Sequence, residues 1–378
     1  MEIRLQRDAL LTELALLQGI VERRTTIPIL SHLLLDARDG KLSLAATDLD
    51  VSLSTWCPGD IRRDGAVAVQ AKKFHEIVRS LGEAEVELAV DEASSVVVKA
   101  GRSRFRIRGL EADNFPTLPK VDGDPAVEIG LAMLRRMISK VIFAISTEES
   151  RFQLNGALFK AKKGGGGANG LEMVATDGHR LALVEAAAGG EDGQQVTVHA
   201  AQEGVLIPRK ALQELMRFDG DETVAYRRGE HHLSFRLGKR ELTCRILEGT
   251  FPDYERVIAK NHDKRPVLER QAFAQAVQRV ALLTGERARG VLLHFTPQQL
   301  VISAANPDLG EAQEQLACTY DGPELKLGLN PDYLVHFLGA VEARDVRLEL
   351  KDAESQCVGY PGDGEALRYL CVIMPMHV

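Results

Sequence analysis

The sequence predicts an α+β protein built from three similar domains. Two observations carry this. A strand-like segment recurs three times at equal intervals, and each copy sits among amphipathic helices and alternating strands. The copies are LSLAATD from Leu42 to Asp48, LEMVATD from Leu171 to Asp177 and LVISAAN from Leu300 to Asn306. Leu42, Leu171 and Leu300 correspond, as do Leu44, Met173 and Ile302, then Ala46, Ala175 and Ala304; Asp48, Asp177 and Asn306 close the copies. The interval from Leu42 to Leu171 equals that from Leu171 to Leu300, and three such periods come to slightly more than the 378 residues of the chain. A period this long indicates duplicated domains, because solenoid units run about 20–50 residues.

The flanking elements repeat as well. Leu10, Leu14 and Leu17 mark a first helix. Leu134, Met137, Ile138, Val141 and Ile142 mark its second copy, and Phe273, Ala276, Val277 and Val280 its third. Spacings of three and four place each set on one helical face. A second helix follows in each repeat, carrying Phe74, Ile77, Val78 and Leu81, then Leu212, Leu215 and Met216, then Leu334, Phe337, Leu338 and Val341. The alternating strands EVELAV, TVAYRR and DVRLEL come next. Each repeat therefore reads as two similar halves, with two helices and flanking antiparallel strands. Pro and Gly interrupt the pattern at PKVDGDP (119–125) and KNHDKRP (260–266), which places the domains at 1–122, 126–258 and 266–378. The glycine run from Lys162 to Gly170 reads as a flexible insertion.

Composition bounds the function. Hydrophobic residues make up 45% and charged residues 27%, an ordinary globular balance. The five cysteines form no CxxC pair, so neither a disulfide framework nor a zinc site is expected. Asp8 and Glu13 break the apolar run of the N-terminus, so it is not read as a signal peptide, and no uncharged run reaches membrane-spanning length. A cytoplasmic protein with no membrane partner is expected. The net charge of −7 argues against a DNA-coating basic surface, although an acidic exterior around a basic lining gives the same total.

Several motifs invite catalysis and fail. Gly165, Gly167 and Gly170 satisfy GxGxxG, but a strand pattern follows where a dinucleotide site needs a helix N-terminus. Asp177 and His179 lack a third metal ligand or a nucleophile, and Asp177 repeats as Asp48 with no histidine after it, so a turn role is expected. His231 and His232 are adjacent on a strand and point to opposite faces. No phosphate loop, nucleophile elbow or HExxH pair is present. No cofactor, no metal and no catalytic residue are expected. The rival reading is a metal-dependent hydrolase built on Asp177 and His179.

VATDGHRLAL (174–183), GTFPDYERVI (249–258), GRSRF (101–105), IPILSHLLL (27–35) and the terminal VIMPM (372–376) together resemble the bacterial β sliding clamps. The resemblance runs the length of the chain in order. It implies a DNA clamp fold of three domains, a ring-shaped homodimer around duplex DNA, and no enzymatic activity. It also implies a pocket for short peptides of DNA polymerase III, the clamp loader, other polymerases, ligase and mismatch-repair proteins. A specialised duplicate clamp that confers tolerance to a clamp-targeting antibiotic is the alternative within the same fold.

Carried over residue by residue, the pocket comprises Leu154, Thr176, Gly178, His179, Arg180, Leu181, Pro252, Arg256, Val257, Tyr333, Val372, Met374, Pro375 and Met376. Ordinary core packing is the competing reading for Leu154, Leu181 and Val257. Candidate DNA-facing cations are Arg24, Lys72, Lys73, Arg79, Arg135, Arg136, Lys140, Arg209, Lys210 and Arg279, whereas PDYLVHFLGA carries no Lys or Arg. At the implied dimer seam Leu282 and Leu283 match apolar positions, and Arg102 and Arg104 are set against Glu311 and Glu314. Two departures touch the pocket rim: Gln153 stands where the family often has an aromatic residue, and His377 and Val378 replace a commoner basic residue and leucine.

Overall fold

Each copy of the repeated segment is the first strand of a hairpin. In the computed structural model, which describes all residues except 23–25, 92, 163–169, 190–194, 286–288 and 378, Lys41–Thr47 pairs with Val51–Pro58. Gly170–Thr176 pairs with Arg180–Ala187, and Gln299–Asn306 with Gly310–Ala317. The closing residue does the same work three times. Asp48 Oδ1 accepts from the amides of Asp50 (3.0 Å) and Val51 (2.6 Å). Asp177 Oδ1 accepts from His179 (2.9 Å) and Arg180 (3.0 Å). Asn306 Oδ1 accepts from Asp308 (2.9 Å) and Leu309 (3.2 Å). A short side-chain acceptor that replaces a backbone carbonyl is the physical reason for Asp or Asn there.

The residue after the aspartate takes a left-handed backbone in two of the hairpins. It is Gly178 at φ +90° and Leu49 at φ +81°. Glycine adopts that region without penalty, whereas Leu49 is strained. A threonine hydroxyl secures both amides: Thr47 Oγ1 accepts from Leu49 (3.0 Å), and Thr176 Oγ1 from Gly178 (3.1 Å).

The predicted helices form as α1 (Arg7–Ile20), α2 (Ala71–Ser80), α3 (Leu131–Val141), α4 (Arg209–Leu215), α5 (Arg270–Ala281) and α6 (Pro331–Ala340). Their predicted apolar faces are buried at Leu10, Leu14, Leu17, Phe74, Leu134, Met137, Leu212, Phe273, Val277, Leu334 and Phe337. Ile77, Met216 and Ile142 are only half-buried. Ile142 lies beyond α3 in the 3-10 turn Ile142–Ala144. Two helix starts are capped by side chains: Glu269 accepts from Gln271 and Ala272 at α5, and Asn330 accepts from Asp332 at α6, with Pro331 in the first turn.

Among the described residues the strands form sheets of 14, 8 and 4 strands. The two larger sheets cross the repeat boundaries. Val51–Pro58 of the first repeat pairs with Arg240–Arg245 of the central one, and Arg180–Ala187 of the central repeat pairs with Arg368–Ile373 of the third. The chain consequently divides into two compact units, not three. One holds 1–133, 190–199 and 210–246; the other holds 134–189, 200–209 and 247–378. The central repeat is shared between them, because sheet pairing holds its two halves to different neighbours. All five cysteines are buried and free, and burial pushes the Cys57 thiol up to about 11. No helix among the described residues is long and apolar enough to cross a membrane.

Candidate functional site

The predicted pocket residues fall in the second compact unit on five pieces of chain. They are the turn Thr176–Leu181, the loop 249–258, the terminal segment 372–377, the 3-10 turn Glu149–Leu154 and α6, which carries Tyr333. Beneath them lies a buried apolar cluster that includes Val174, Leu181, Leu183, Leu206, Leu370 and Val372, against which Leu247, Phe251 and Ile258 pack. Leu181 and Val372 are thus core residues of that cluster, and Leu154 is buried outside it. The rim is apolar and open. Phe152 is 56% exposed, Met374 42% and Val257 37%. Exposed apolar side chains on a rigid buried base are what a groove for apolar anchors requires.

Close approach fixes the rim. Gly249 has φ +115°, and a Cβ there would lie 3.1 Å from Gln153 Cβ and 3.3 Å from Phe152 Cε2. A Cβ on Gly178 would lie 2.7 Å from Arg151 Nη1. The terminal segment is held by its backbone: the Met374 amide donates to the His179 carbonyl and the Met376 amide to the Gly328 carbonyl, both at 2.9 Å. Gln356 Nε2 donates to the Val257 carbonyl at 3.0 Å. Arg256 is exposed and turned to Asp253, 2.7 Å away.

Arg180 is a buried hub, only 9% exposed. Its Nε donates to Asp177 Oδ2 (2.9 Å), one Nη to the Phe143 carbonyl and the other to His336 Nδ1 (2.8 Å). The guanidinium stacks over Tyr333 at 4.3 Å and Phe143 at 5.2 Å. Arginine can only donate, so His336 Nδ1 accepts and its ring is neutral. Packing against Phe143 desolvates that ring, and the Arg180 charge adds to the effect. Together they hold its pKa below the ordinary value, although Asp332 and Asp177 pull the other way. The unfolded chain therefore binds a proton here before the folded one does. Stability is full above the unfolded value of about 6.5 and falls as pH drops below it. Melting temperature should decline between neutral pH and pH ~5, and His336→Gln, whose amide oxygen still accepts from Arg180, should flatten that decline. Parallel pH–melting curves for the two proteins would discredit the assignment.

A second buried cluster anchors the loop 249–258. The Tyr254 hydroxyl accepts from Lys160 Nζ (2.7 Å) and donates to Glu172 Oε1 (2.5 Å), with Lys160 itself 3.4 Å from Glu172. Burial, then the bond to Glu172, push the Tyr254 phenol well above its ordinary pKa. Sequence reasoning missed Tyr254, Phe152 and Phe251. The FPDY string contains Phe251 and Tyr254, but nothing local marked Lys160 or Glu172 as partners of Tyr254.

Several predicted DNA cations are already committed. Lys140 is fully buried: its ammonium donates to the Ala340 carbonyl (3.0 Å) and pairs with Glu365. It is withdrawn as a phosphate contact, because its position on α3 turns inward. Lys210 pairs with Asp48 and donates to the Ile20 carbonyl (2.8 Å), so it holds the second oxygen of Asp48 much as Arg180 holds that of Asp177. Arg136 is bidentate on Glu342 at 2.8 and 3.0 Å. Arg279 is bidentate on Glu314, which removes Glu314 from the expected set facing Arg102 and Arg104; the Arg279 bond holds the Glu314 carboxyl below its ordinary range. Lys73 pairs with Glu76 at 2.7 Å. Among the described residues Lys72, Arg79, Arg135 and Arg209 make no ion pair, and Arg24 lies outside those residues.

Among the described strands with an open edge, two carry opposite charge. Ser103–Leu110 meets Gly65–Gln70 only at Val69–Gly109 and Ala68–Leu110, so the stretch with exposed Arg104, Arg106 and Arg108 is unpaired on that side. Gly310–Ala317 is the end strand of the four-stranded sheet and carries exposed Glu311. Leu282, after α5, is 76% exposed. Among the described residues no group of three or more His, Cys, Asp or Glu side chains is placed to hold a metal.

Family models of the DNA polymerase III β subunit match the chain from end to end: the N-terminal domain over residues 1–119, the central domain over 128–253 and the C-terminal domain over 255–377. The chain belongs to the β sliding clamp family. The Pseudomonas putida β sliding clamp is 37% identical over 388 residues, with both chains fully covered. The solved sliding clamp of Pseudomonas aeruginosa bound to griselimycin superimposes with a TM-score of 0.91 at 36% identity over all of both chains. That of Bacillus subtilis gives 0.92 at 28% identity over 100% of this chain and 99% of the other. The clamp fold, with three family domains of helices and antiparallel sheets, is therefore that of this chain. Its family domains follow the sequence repeat, whereas its compact units follow the shared sheets.

Proposed function

We propose that this sliding clamp closes head to tail as a ring-shaped homodimer around duplex DNA. It holds the polymerase III catalytic subunit, the clamp loader, other polymerases, ligase and mismatch-repair proteins through the groove of its second unit. It acts in the cytoplasm as a processivity factor, without chemistry of its own. The observation that carries this is the groove: Phe152, Val257 and Met374 stand open above a buried floor, with the Arg180 and Tyr254 clusters locking its walls. Short peptides with apolar anchors fit such a site, and a tethered polymerase gains effective concentration at the primer end. The replicative role is favoured over a specialised antibiotic-tolerant duplicate by its full-length likeness to named β sliding clamps.

The open edges support the seam. The arginine-bearing edge of Ser103–Leu110 and the glutamate-bearing edge of Gly310–Ala317 are complementary in charge, and β edges left unpaired in one chain are templates for another. Lys72, Arg79, Arg135 and Arg209 are the cations best placed to meet phosphates, because nothing described neutralises them. Retention on DNA tests the reading. After loading onto a nicked circle the protein should survive high salt, and cutting the circle should release it. Phosphate contacts weaken steeply with salt while a topological link does not. Persistence on the linear product at high salt would refute encirclement.

A further inference from the structure

The chain has a single tryptophan, Trp56, and it is 37% exposed on the strand Val51–Pro58. An open cleft of about 470 Å³ lies against it in the first compact unit. The walls are the strands His32–Arg38, Lys41–Thr47 and Val51–Pro58 and the hairpin that joins His232–Leu237 to Arg240–Arg245. None of these residues belongs to the peptide groove. The ammonium groups of Lys41 and Lys239 each stand 5.8 Å from the indole centroid.

The base of the cleft is wired in place. Glu13, 1% exposed, accepts from Arg240 Nε and Nη2 at 3.0 Å and from Thr55 Oγ1 at 2.9 Å, and it pairs with Lys239 at 3.0 Å. Burial alone would raise its pKa, but these bonds outweigh burial and keep the carboxylate charged. On the rim Arg236 pairs with Glu241 at 2.8 Å. Lys239, Arg240 and Arg236 are thus answered within the chain. Lys41 is not: it is exposed, has no carboxylate partner among the described residues, and leans on the indole alone.

We propose that this cleft binds a short acidic peptide segment of a partner protein, an apolar side chain lying on Trp56 and a carboxylate meeting Lys41. An open indole beside a fixed polar base has the character of an interface anchor, since tryptophan supplies large contact area at small entropic cost. Lys41 offers an unmet charge on a chain whose net charge of −7 otherwise repels acidic partners. A peptide fits better than a nucleic acid. Asp36 and Glu241 sit on the same walls; a continuous polyanion must pass them, whereas separate carboxylates can avoid them.

The test uses the whole protein and an acetylated, amidated octapeptide alternating glutamate and leucine. Trp56, being the sole tryptophan, reports directly through its emission, with calorimetry as the independent measure of binding. The expected result is a saturable emission change that weakens with salt and whose affinity falls at least about tenfold in Lys41→Glu. That change sits on an exposed strand end with no ion pair to lose, so the fold should hold, and an unchanged melting curve checks it. Three outcomes overturn the proposal: no binding up to millimolar peptide, calorimetric binding with silent Trp56 emission, or equal affinity in Lys41→Glu. Tighter binding of an oligothymidylate than of the peptide would assign the cleft to nucleic acid instead.

Discussion

Deleting residues 374–378 should abolish capture of polymerase and clamp-loader peptides while leaving the dimer and most of the fold. In the proposed peptide site Met374, Pro375 and Met376 form one wall, and Met374 is 42% exposed, so its loss removes apolar contact from the peptide and little from the core. A fall in affinity of 100-fold or more, about 2.7 kcal/mol, is expected when a wall of apolar anchoring is removed. The stability cost is smaller. Two backbone hydrogen bonds go, from Met374 to His179 and from Met376 to Gly328, each worth about 1 kcal/mol net. The last strand, Arg368–Ile373, keeps its register against Arg180–Ala187. Fluorescence anisotropy with a labelled polymerase peptide reads the first effect and a melting curve the second. Undiminished affinity in the truncated protein would place the peptide site elsewhere.

The second large effect belongs to the seam. Leu282→Ala with Leu283→Ala should shift the protein toward monomers at nanomolar concentration. Leu282 gains almost nothing from the monomer, being 76% exposed, so its apolar area is available to an interface. Burying a leucine side chain contributes about 1.5–3 kcal/mol, and alanine retains only part of that. A closed ring has two seams, so the loss counts twice, and the dissociation constant should rise at least about 100-fold. Leu283 is half-buried, so Leu282→Ala alone serves as the variant that spares the fold. Mass photometry across a dilution series decides the matter, and a double variant that stays dimeric at the lowest concentration sinks the assignment. Because Glu314 already pairs with Arg279, the charge partner left for Arg102 and Arg104 is Glu311.

How much of this was legible before folding differs from element to element. Helix faces were readable because burial of one face imposes a spacing of three and four on the sequence itself: Leu10, Leu14, Leu17, Phe273 and Val277 are all buried. The recurring Asp48, Asp177 and Asn306 were readable as turn residues because an Asx turn is closed by a side chain two and three residues away, wholly within local sequence. The proposed groove rests on the strings that resemble the family, since local spacing cannot join segments about 200 residues apart in numbering, which the pairing of Arg180–Ala187 with Arg368–Ile373 brings together.

Charge was the least legible property. Lys72, Lys140 and Arg279 look alike as cations on amphipathic helices. Yet one is exposed without an ion pair among the described residues, one is fully buried against Glu365, and one is held by Glu314. What separates them is the partner brought up by a distant segment, and one-dimensional spacing carries no record of it. The sequence by itself determined the threefold repeat, the helix faces and the turn chemistry, because each depends on residues a few positions apart. Tertiary structure alone decided which of the described cations make no ion pair, that Arg180 is a buried hub, and that the central repeat is shared between two units. Those outcomes depend on strand pairing and ion pairs between residues far apart in the chain, where desolvation makes each charge take the nearest partner the fold provides.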